Sequence, residues 1–301
     1  MRFGVNAVNF GAEVSPESLR SWASTAEDLG FDFLMISDHL AITDDVHARY
    51  PAPYYDPILT LGYLAGITKT IRLGTTVLVL PYRHPLYVAR LFANLDQFSQ
   101  GRMILGVGAG WSEDEFTALG ADFHRRGELT DEYLDVITSA WTNEEIRVKT
   151  KTGASLTIHT APLAYERRSI PIWVGGASNP AIKRAVRYGA WHPIRPKVGW
   201  LENFGIPRLR EIASSSNKQP PPIKPRIQLE ILDEALPDED RLVGQGSVAQ
   251  IRDDLRALEA LGITDVLLDT SHRRGVDHAW HFAELETFAE TIADLRAGAI
   301  R

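Results

Sequence analysis

Arg2-Phe3-Gly4-Val5-Asn6-Ala7, Ser15-Pro16, Leu29-Gly30 and Phe31–Ser37 together make one strand–helix–strand unit. The first piece is a short apolar run of strand length. Ser15-Pro16 then opens a helix, with a capping hydroxyl followed by proline in the first turn. Gly30 supplies the left-handed stop. Phe31–Ser37 begins the second unit. The same grammar repeats outward along the chain. Helix Pro57–Thr68 leads to strand Ile71–Val79, and helix Leu86–Ser99 to strand Met103–Val107. Helical stretches Ser112–Leu119 and Leu129–Trp141 precede strand Ile170–Val174, which feeds helix Pro180–Tyr188. Ala190–Ile194 is the sixth strand, with helix Leu201–Ser214 behind it. Arg226–Leu232 is the seventh, and its helix opens on the capping-box pattern Ser247-Val248-Ala249-Gln250. Ile251, Leu255 and Leu258 then mark one helical face. Thr264–Leu268 is the eighth strand, and the last helix carries Leu285, Phe288, Ile292 and Leu295 on one stripe.

Eight strands, each followed by a helix, predict a (β/α)8 barrel. A doubly wound sheet also alternates, but eight units in 301 residues favour closure. The length exceeds the roughly 250 residues of a plain barrel, and two stretches supply the excess. Residues 143–168 form an excursion between the fourth helix and fifth strand, with β-rich pieces at Ile146–Val148 and Leu156–His159. Ser214–Pro225 is polar and proline-rich and reads as a mobile loop, either a lid or a plain surface connection. The whole chain, 1–301, reads as a single domain.

Composition excludes several classes of function. With no cysteine there is no disulfide framework, thiolate nucleophile or cysteine-bound metal, and a reducing, cytoplasmic setting suits the chain. A net charge of −7 argues against a nucleic-acid footprint. No apolar run reaches membrane-spanning length, and Asn6, Asn9 and Glu13 interrupt any signal-peptide core. His278, His281 and Glu284 share a helix and give a candidate metal face, but a solvated outer-ring face is the stronger reading, so no metal site is expected. A metal-dependent hydrolase also lacks its His-x-His after the first strand, and neither a Gly-x-Ser-x-Gly elbow nor a Gly-Lys phosphate loop is present.

Active sites of such barrels form where strands end. Asn6 and Asn9 end the first strand, Asp38-His39 the second, and Thr76 with Arg83-His84 the third. Gly108-Ala109-Gly110-Trp111 ends the fourth, and Gly175-Gly176-Ala177-Ser178-Asn179 the fifth. His192 and Arg195 follow the sixth, Asp269 and His272 the eighth. The fifth segment is either a phosphate cradle at a helix N-terminus or a well-capped tight turn. Asp38-His39 is either a proton-transfer pair or a structural one.

Several segments, in order, resemble the bacterial-luciferase-like family of flavin and F420-dependent oxidoreductases. They are Ala26–Asp32, Ser37-Asp38-His39, Ile71–Val77, Gly101–Trp111, Ile172–Gly176 and Gly262–Val266. The resemblance implies a (β/α)8 barrel and a cofactor that is either coenzyme F420 or FMN, with F420 favoured by Asp38-His39 and Thr76-Val77. It makes His39 the catalytic proton carrier. Asp38, His39, Thr76, Val77, Gly108, Ala109, Gly110, Gly175, Gly176, Ala177 and Ser178 become cofactor-binding positions, with a cis peptide at Thr76–Val77. Asn6, Trp111 and His192 are expected in the substrate pocket. Trp111 stands where sugar-phosphate dehydrogenases of the F420 branch carry a glutamate acid, so their substrate does not transfer. Lys183, Arg184 and Arg187 could meet an anionic cofactor tail, but a solvated helix face is the stronger reading. The implied function is hydride transfer between F420 and a small organic substrate. The alternatives are an FMN-dependent monooxygenase served by a separate flavin reductase, or a cofactor-less barrel used for binding or non-redox chemistry. The family tendency also implies a homodimer.

Overall fold

The computed structural model describes residues 1–149, 153–238, 241–273 and 275–301. Eight parallel strands form the barrel: β1 (Arg2–Ala7), β2 (Phe33–Ile36), β3 (Arg72–Thr75), β4 (Met103–Gly108), β5 (Ile172–Gly175), β6 (Ala190–His192), β7 (Arg226–Gln228) and β8 (Asp265–Asp269). β1 is paired on one side with β8, Arg2 opposite Asp265, and on the other with β2, Gly4 opposite Phe33. From β2 the ladder runs through β3, β4 and β5 to β6, and β8 carries β7. Between β6 and β7, among the described residues, only isolated parallel bridges, Trp191 with Ile223 and Ile194 with Arg226, close the ring. The main helices pack outside: α1 (Pro16–Leu29), α2 (Pro57–Ile67), α3 (Pro85–Phe98), α4 (Arg126–Thr142), α5 (Asn179–Tyr188), α6 (Ile206–Ser215), α7 (Val248–Ala260) and α8 (His278–Thr287). Ser15 and Ser247 both make the reciprocal capping boxes that start α1 and α7.

The period-two alternation of the strands separates two cores. Phe33, Met35, Ile104, Trp173, Ala190 and Leu267 point inward and fill the barrel. Leu34, Ile36, Leu105 and Ile172 point outward and join the larger core beneath the helices. Bulk is shared unequally inside. A Cβ on Gly4 would lie 2.0 Å from the ring of Phe33, so a large residue on β2 requires none on β1. Phe33 in turn meets Trp173 edge to face, with centroids 5.1 Å apart.

Two stretches depart from the plain barrel. In residues 143–168, Glu145–Lys149 pairs antiparallel with Ser155–His159; residues 150–152 of that excursion lie outside the described ones. Residues 214–225 are not all loop. Ser214 and Ser215 finish α6, and Pro222 and Lys224 bond to the backbone of Trp191, drawing the end of the stretch into the barrel wall. Among the described residues no helix is long and apolar enough to cross a membrane.

The weak β6–β7 seam is reinforced by side chains. His192 Nδ1 donates to the Lys224 carbonyl, which fixes the tautomer, so Nε2 accepts from the Thr76 hydroxyl at 2.9 Å. Burial lowers His192 to about 4, because a cation there has no water.

Two outcomes follow from this packing. Gly4→Ala should lower the unfolding free energy in urea by about 1–3 kcal/mol; an unchanged midpoint would show that Phe33 can move aside. The unfolded chain protonates His192 below its ordinary value of 6.5, whereas the folded chain resists down to about 4. Its contribution is therefore complete above pH 6.5 and declines as pH falls toward 4, by roughly 1.4 kcal/mol per pH unit. Urea titrations across that window should show a flatter slope for His192→Gln than for the native chain.

Candidate active site

The strand ends after β2, β3, β4, β5 and β6, with Arg226 of β7, enclose a cavity of about 490 Å3. His39, Asp38, Thr76, Val77, Gly108, Ala109, Gly110, Trp111, Gly175, Gly176, Ser178 and His192 all line it. Two expected residues do not. Asn6 lies below the cavity, donating to Asp269 at 3.1 Å and accepting from Ser37. Ala177 is exposed and forms no part of the wall.

Asp38 and His39, adjacent in sequence, take separate partners. Successive strand residues point to opposite faces, and this holds past the end of β2. Asp38 is buried and takes a bidentate contact from Arg83 at 2.7 and 2.8 Å, plus the Val79 amide at 2.9 Å. Burial pushes its carboxyl above the ordinary value, against the pull of Arg83. Asp38 thus anchors the loop after β3.

His39 pairs with Glu115, which the sequence reading missed. The His39 Nδ1 to Glu115 Oε2 distance is 2.7 Å, and both side chains are buried. The same carboxylate accepts from the Leu40 and Ala41 amides and from the Tyr82 hydroxyl at 2.9 Å. Burial opposes ionisation, but these hydrogen bonds prevail and hold Glu115 below the ordinary carboxyl value. A carboxylate only accepts, so His39 Nδ1 carries the hydrogen and Nε2 is left for chemistry. Tyr50 stacks on the imidazole at 5.1 Å, and Tyr54 and Trp111 meet it edge-on at 5.8 and 5.7 Å. Arg49 lies 4.5 Å over the Trp111 ring. A signal for Glu115 exists, but it points elsewhere. Ser112 and Glu115 have capping-box spacing, and Ser112 does cap the short helix Glu113–Ala118; the Glu115 carboxylate turns to His39 instead of back to Ser112.

The opposite wall is apolar: Val77, Val79, Val107, Ala109, Val174 and Ile194. The Thr76–Val77 peptide is cis. Its glycines serve neighbouring side chains first. A Cβ on Gly108 or Gly175 would lie 2.5 or 3.0 Å from the Val77 methyls, and one on Gly110 would meet Phe116 at 2.7 Å. At the far end Ser178 caps α5, and Gly176 takes a φ of +106°. Arg126, Thr130 and Arg184 join them there. Arg126 has no carboxylate within ion-pair distance among the described residues. Arg184 is buried against Asp131 at 2.7 Å, so it is not on a solvated face. Lys183 is exposed, and Arg187 pairs with Asp135 outside. The cavity wall therefore offers a hydroxyl, a helix N-terminus and guanidinium groups, a set of apolar side chains, and an imidazole held in one tautomer by Glu115. These residues fit a planar ring bearing a phosphate.

The α8 histidines do something different from the expectation of a solvated face. His281 is buried, bonded to Thr270 at 2.9 Å and lowered by burial to about 4. His278 accepts from Trp22, and Glu284 accepts from the Ile231 amide. Among the described residues no three acidic or imidazole groups gather as a metal site would require.

Residues 1–232 match the family model described as luciferase-like monooxygenase. An F420-dependent glucose-6-phosphate dehydrogenase of Microbacterium testaceum is 33% identical over 192 residues, 61% of this chain and 53% of that protein. A 4-hydroxyprotoasukamycin monooxygenase of Streptomyces nodosus subsp. asukaensis is 32% identical over 199 residues, 61% of this chain and 51% of that one. The chain thus spans about half the length of these curated relatives. The crystal structure of a monooxygenase from Streptomyces bottropensis superposes with a TM-score of 0.80, at 20% identity, covering 99% of this chain and 100% of that one, and shows the same fold. The barrel, the match over most of its strands and the order of its rim segments lead to one conclusion: the chain belongs to the luciferase-like family of oxidoreductases and monooxygenases.

Proposed function

We propose that the chain transfers hydride between coenzyme F420 and a small organic substrate, with His39 carrying the proton. The observation behind this reading is the buried Glu115–His39 dyad facing the cavity. F420, when bound, supplies a hydride-accepting ring carbon and reacts poorly with oxygen. Everything else falls to the protein. Glu115 holds the imidazole in one tautomer, so Nε2 takes the hydroxyl proton of an alcohol as its carbon loses hydride. In reverse, Nε2 returns a proton to the carbonyl oxygen. Tyr50, Tyr54 and Trp111 keep water from the imidazole. Thr76, Val77, Gly108, Ala109, Gly110 and Gly175 would support the ring, and Gly176, Ser178, Arg126 and Arg184 would meet its phosphate. Trp111 and His192 would border the substrate.

FMN-dependent monooxygenation is the second reading. It is supported by the likeness to the 4-hydroxyprotoasukamycin monooxygenase and by Trp111 in place of an acid; it would need a flavin reductase as partner. We also assign the chain to the cytoplasm, consistent with its lack of cysteine, and to a homodimer. Leu59 (79% exposed), Tyr63 and Ile67 form an apolar stripe on α2, with Tyr87 exposed on α3 beside it. Sedimentation at micromolar concentration should give twice the chain mass.

Titration of the purified protein with F420 and with FMN, read by tryptophan fluorescence and cofactor absorbance, tests the central claim. Micromolar binding of F420 alone supports hydride transfer, FMN alone supports oxygen chemistry, and binding of neither would sink both. In an anaerobic screen of small alcohols and ketones, His39→Ala should lower turnover by about 10²–10⁴-fold. Glu115→Gln should lower it too while cofactor affinity is largely retained. Equal loss of cofactor binding in both variants would make the dyad structural.

A further inference from the structure

A buried ion pair lies at the inner end of the same cavity. Arg226 on β7 reaches Asp269 at the end of β8 through Nε at 2.9 Å and Nη2 at 2.8 Å. Its remaining arm, Nη1, donates to the Thr76 carbonyl at 2.9 Å. Asp269 is fully buried, and its second oxygen accepts from Asn6 at 3.1 Å and the Ser271 amide at 3.0 Å. The pair is oriented. Arg226 forms part of the cavity wall, whereas Asp269 does not. The cationic end of a fixed dipole therefore faces the space beside Thr76 and Val77.

The other charged groups at the wall or just behind it are committed elsewhere. Asp38 is bound by Arg83 and the Val79 amide, Glu115 by His39, Tyr82 and two amides, and Arg184 by Asp131. Arg126 stands at the far, phosphate end, over Phe123. His192 is a neutral acceptor for Thr76. The electrostatic character of the inner end thus comes mainly from Arg226.

We propose that Arg226 sets the redox preference of the bound cofactor, stabilising the two-electron-reduced ring over the oxidised one. This rests on reading the cavity as a flavin-type site. Hydride brings two electrons and one proton, so the ring gains one negative charge until a further proton is taken up. A guanidinium held in a site shielded from water favours that added charge, and no reorganisation is needed when it develops. Charge beside the ring is one of the few means by which a protein tunes such a cofactor. Arg226 also acts as a positioning residue, because the same guanidinium holds the Thr76 carbonyl.

The test compares dissociation constants for the oxidised and the anaerobically reduced cofactor, using F420 and FMN as probes on the full chain. Removing both charges in Arg226→Met/Asp269→Asn avoids stranding a buried carboxylate. The native protein should favour the reduced form, and the double variant should lose that preference by on the order of tenfold or more. Arg226→Lys keeps the charge and should preserve the preference even if both affinities weaken. Asp269→Asn alone leaves the cation uncompensated and should strengthen it, which keeps the proposal testable if the double variant does not fold. A double variant that weakens both forms equally would reduce Arg226 to a structural role and overturn the inference. Native protein that binds neither cofactor would instead overturn the cofactor reading itself.

Discussion

The carboxylate of Glu115 is the point on which the site depends. It accepts from the imidazole of His39, two consecutive amides after β2 and a phenol from the loop after β3. One buried anion therefore ties three rim loops together. A buried carboxylate is tolerated only when its lone pairs are filled, so the loops must come together around it. The orientation of His39 follows from the same contact. With Nδ1 committed to the carboxylate, the ring presents a single nitrogen to the cavity and cannot flip without breaking a charge-assisted bond.

Barrel polarity explains why such a centre can assemble. Parallel strands deliver all their C-terminal ends to one rim, so residues more than a hundred positions apart, such as Thr76 and His192, meet at 2.9 Å. The inner core sets where the rim stands. Phe33 and Trp173 fill the barrel below, and β1 yields space through Gly4. Above them the polar contacts begin with Thr76, His192 and Arg226. The cavity is apolar on its valine side and aromatic around His39, and the charged side chains at its wall are held by partners in the surrounding protein, Asp38 by Arg83, Arg184 by Asp131 and Arg226 by Asp269.

The fold was legible because its signals are local and repeated. Strand runs, Ser15-Pro16, Gly30 and the Ser247–Gln250 box all state their structure within a few residues. The cavity wall was legible from the ends of the strands, Asn6 and Ala177 excepted. Asn6 precedes the end of β1 and points inward beneath the cavity to Asp269. What could not be read were the partners. Glu115 carries the signature of a helix cap, Arg184 that of an exposed helix face, and Arg226 that of an ordinary strand residue. Each is defined by a contact with a distant segment, and no periodicity encodes such a contact. The same reason separated Asp38 from His39: adjacency in sequence after a strand means opposite directions in space.

Arg226 also belongs to a second pattern that joins fold to site. Lys224 and Arg226, two apart, face one side of the seventh strand line, and Asp265 and Asp269 face them from β8. Lys224 meets Asp265 at 2.8 Å, and Arg226 meets Asp269 at the same distance. The ladder between β7 and β8 spans only Arg226–Gln228, and β6 offers β7 isolated bridges. Backbone pairing alone would leave this strand's register weakly determined. A slip of one residue would turn both cations away, leaving Asp265 to Arg2 alone and buried Asp269 without its ion-pair partner, the latter at about 3–5 kcal/mol. Charge therefore fixes the register where hydrogen bonds are few. The guanidinium that fixes it is also the one presented to the cavity, so the closure of the barrel and the electrostatics of its site rest on the same side chain.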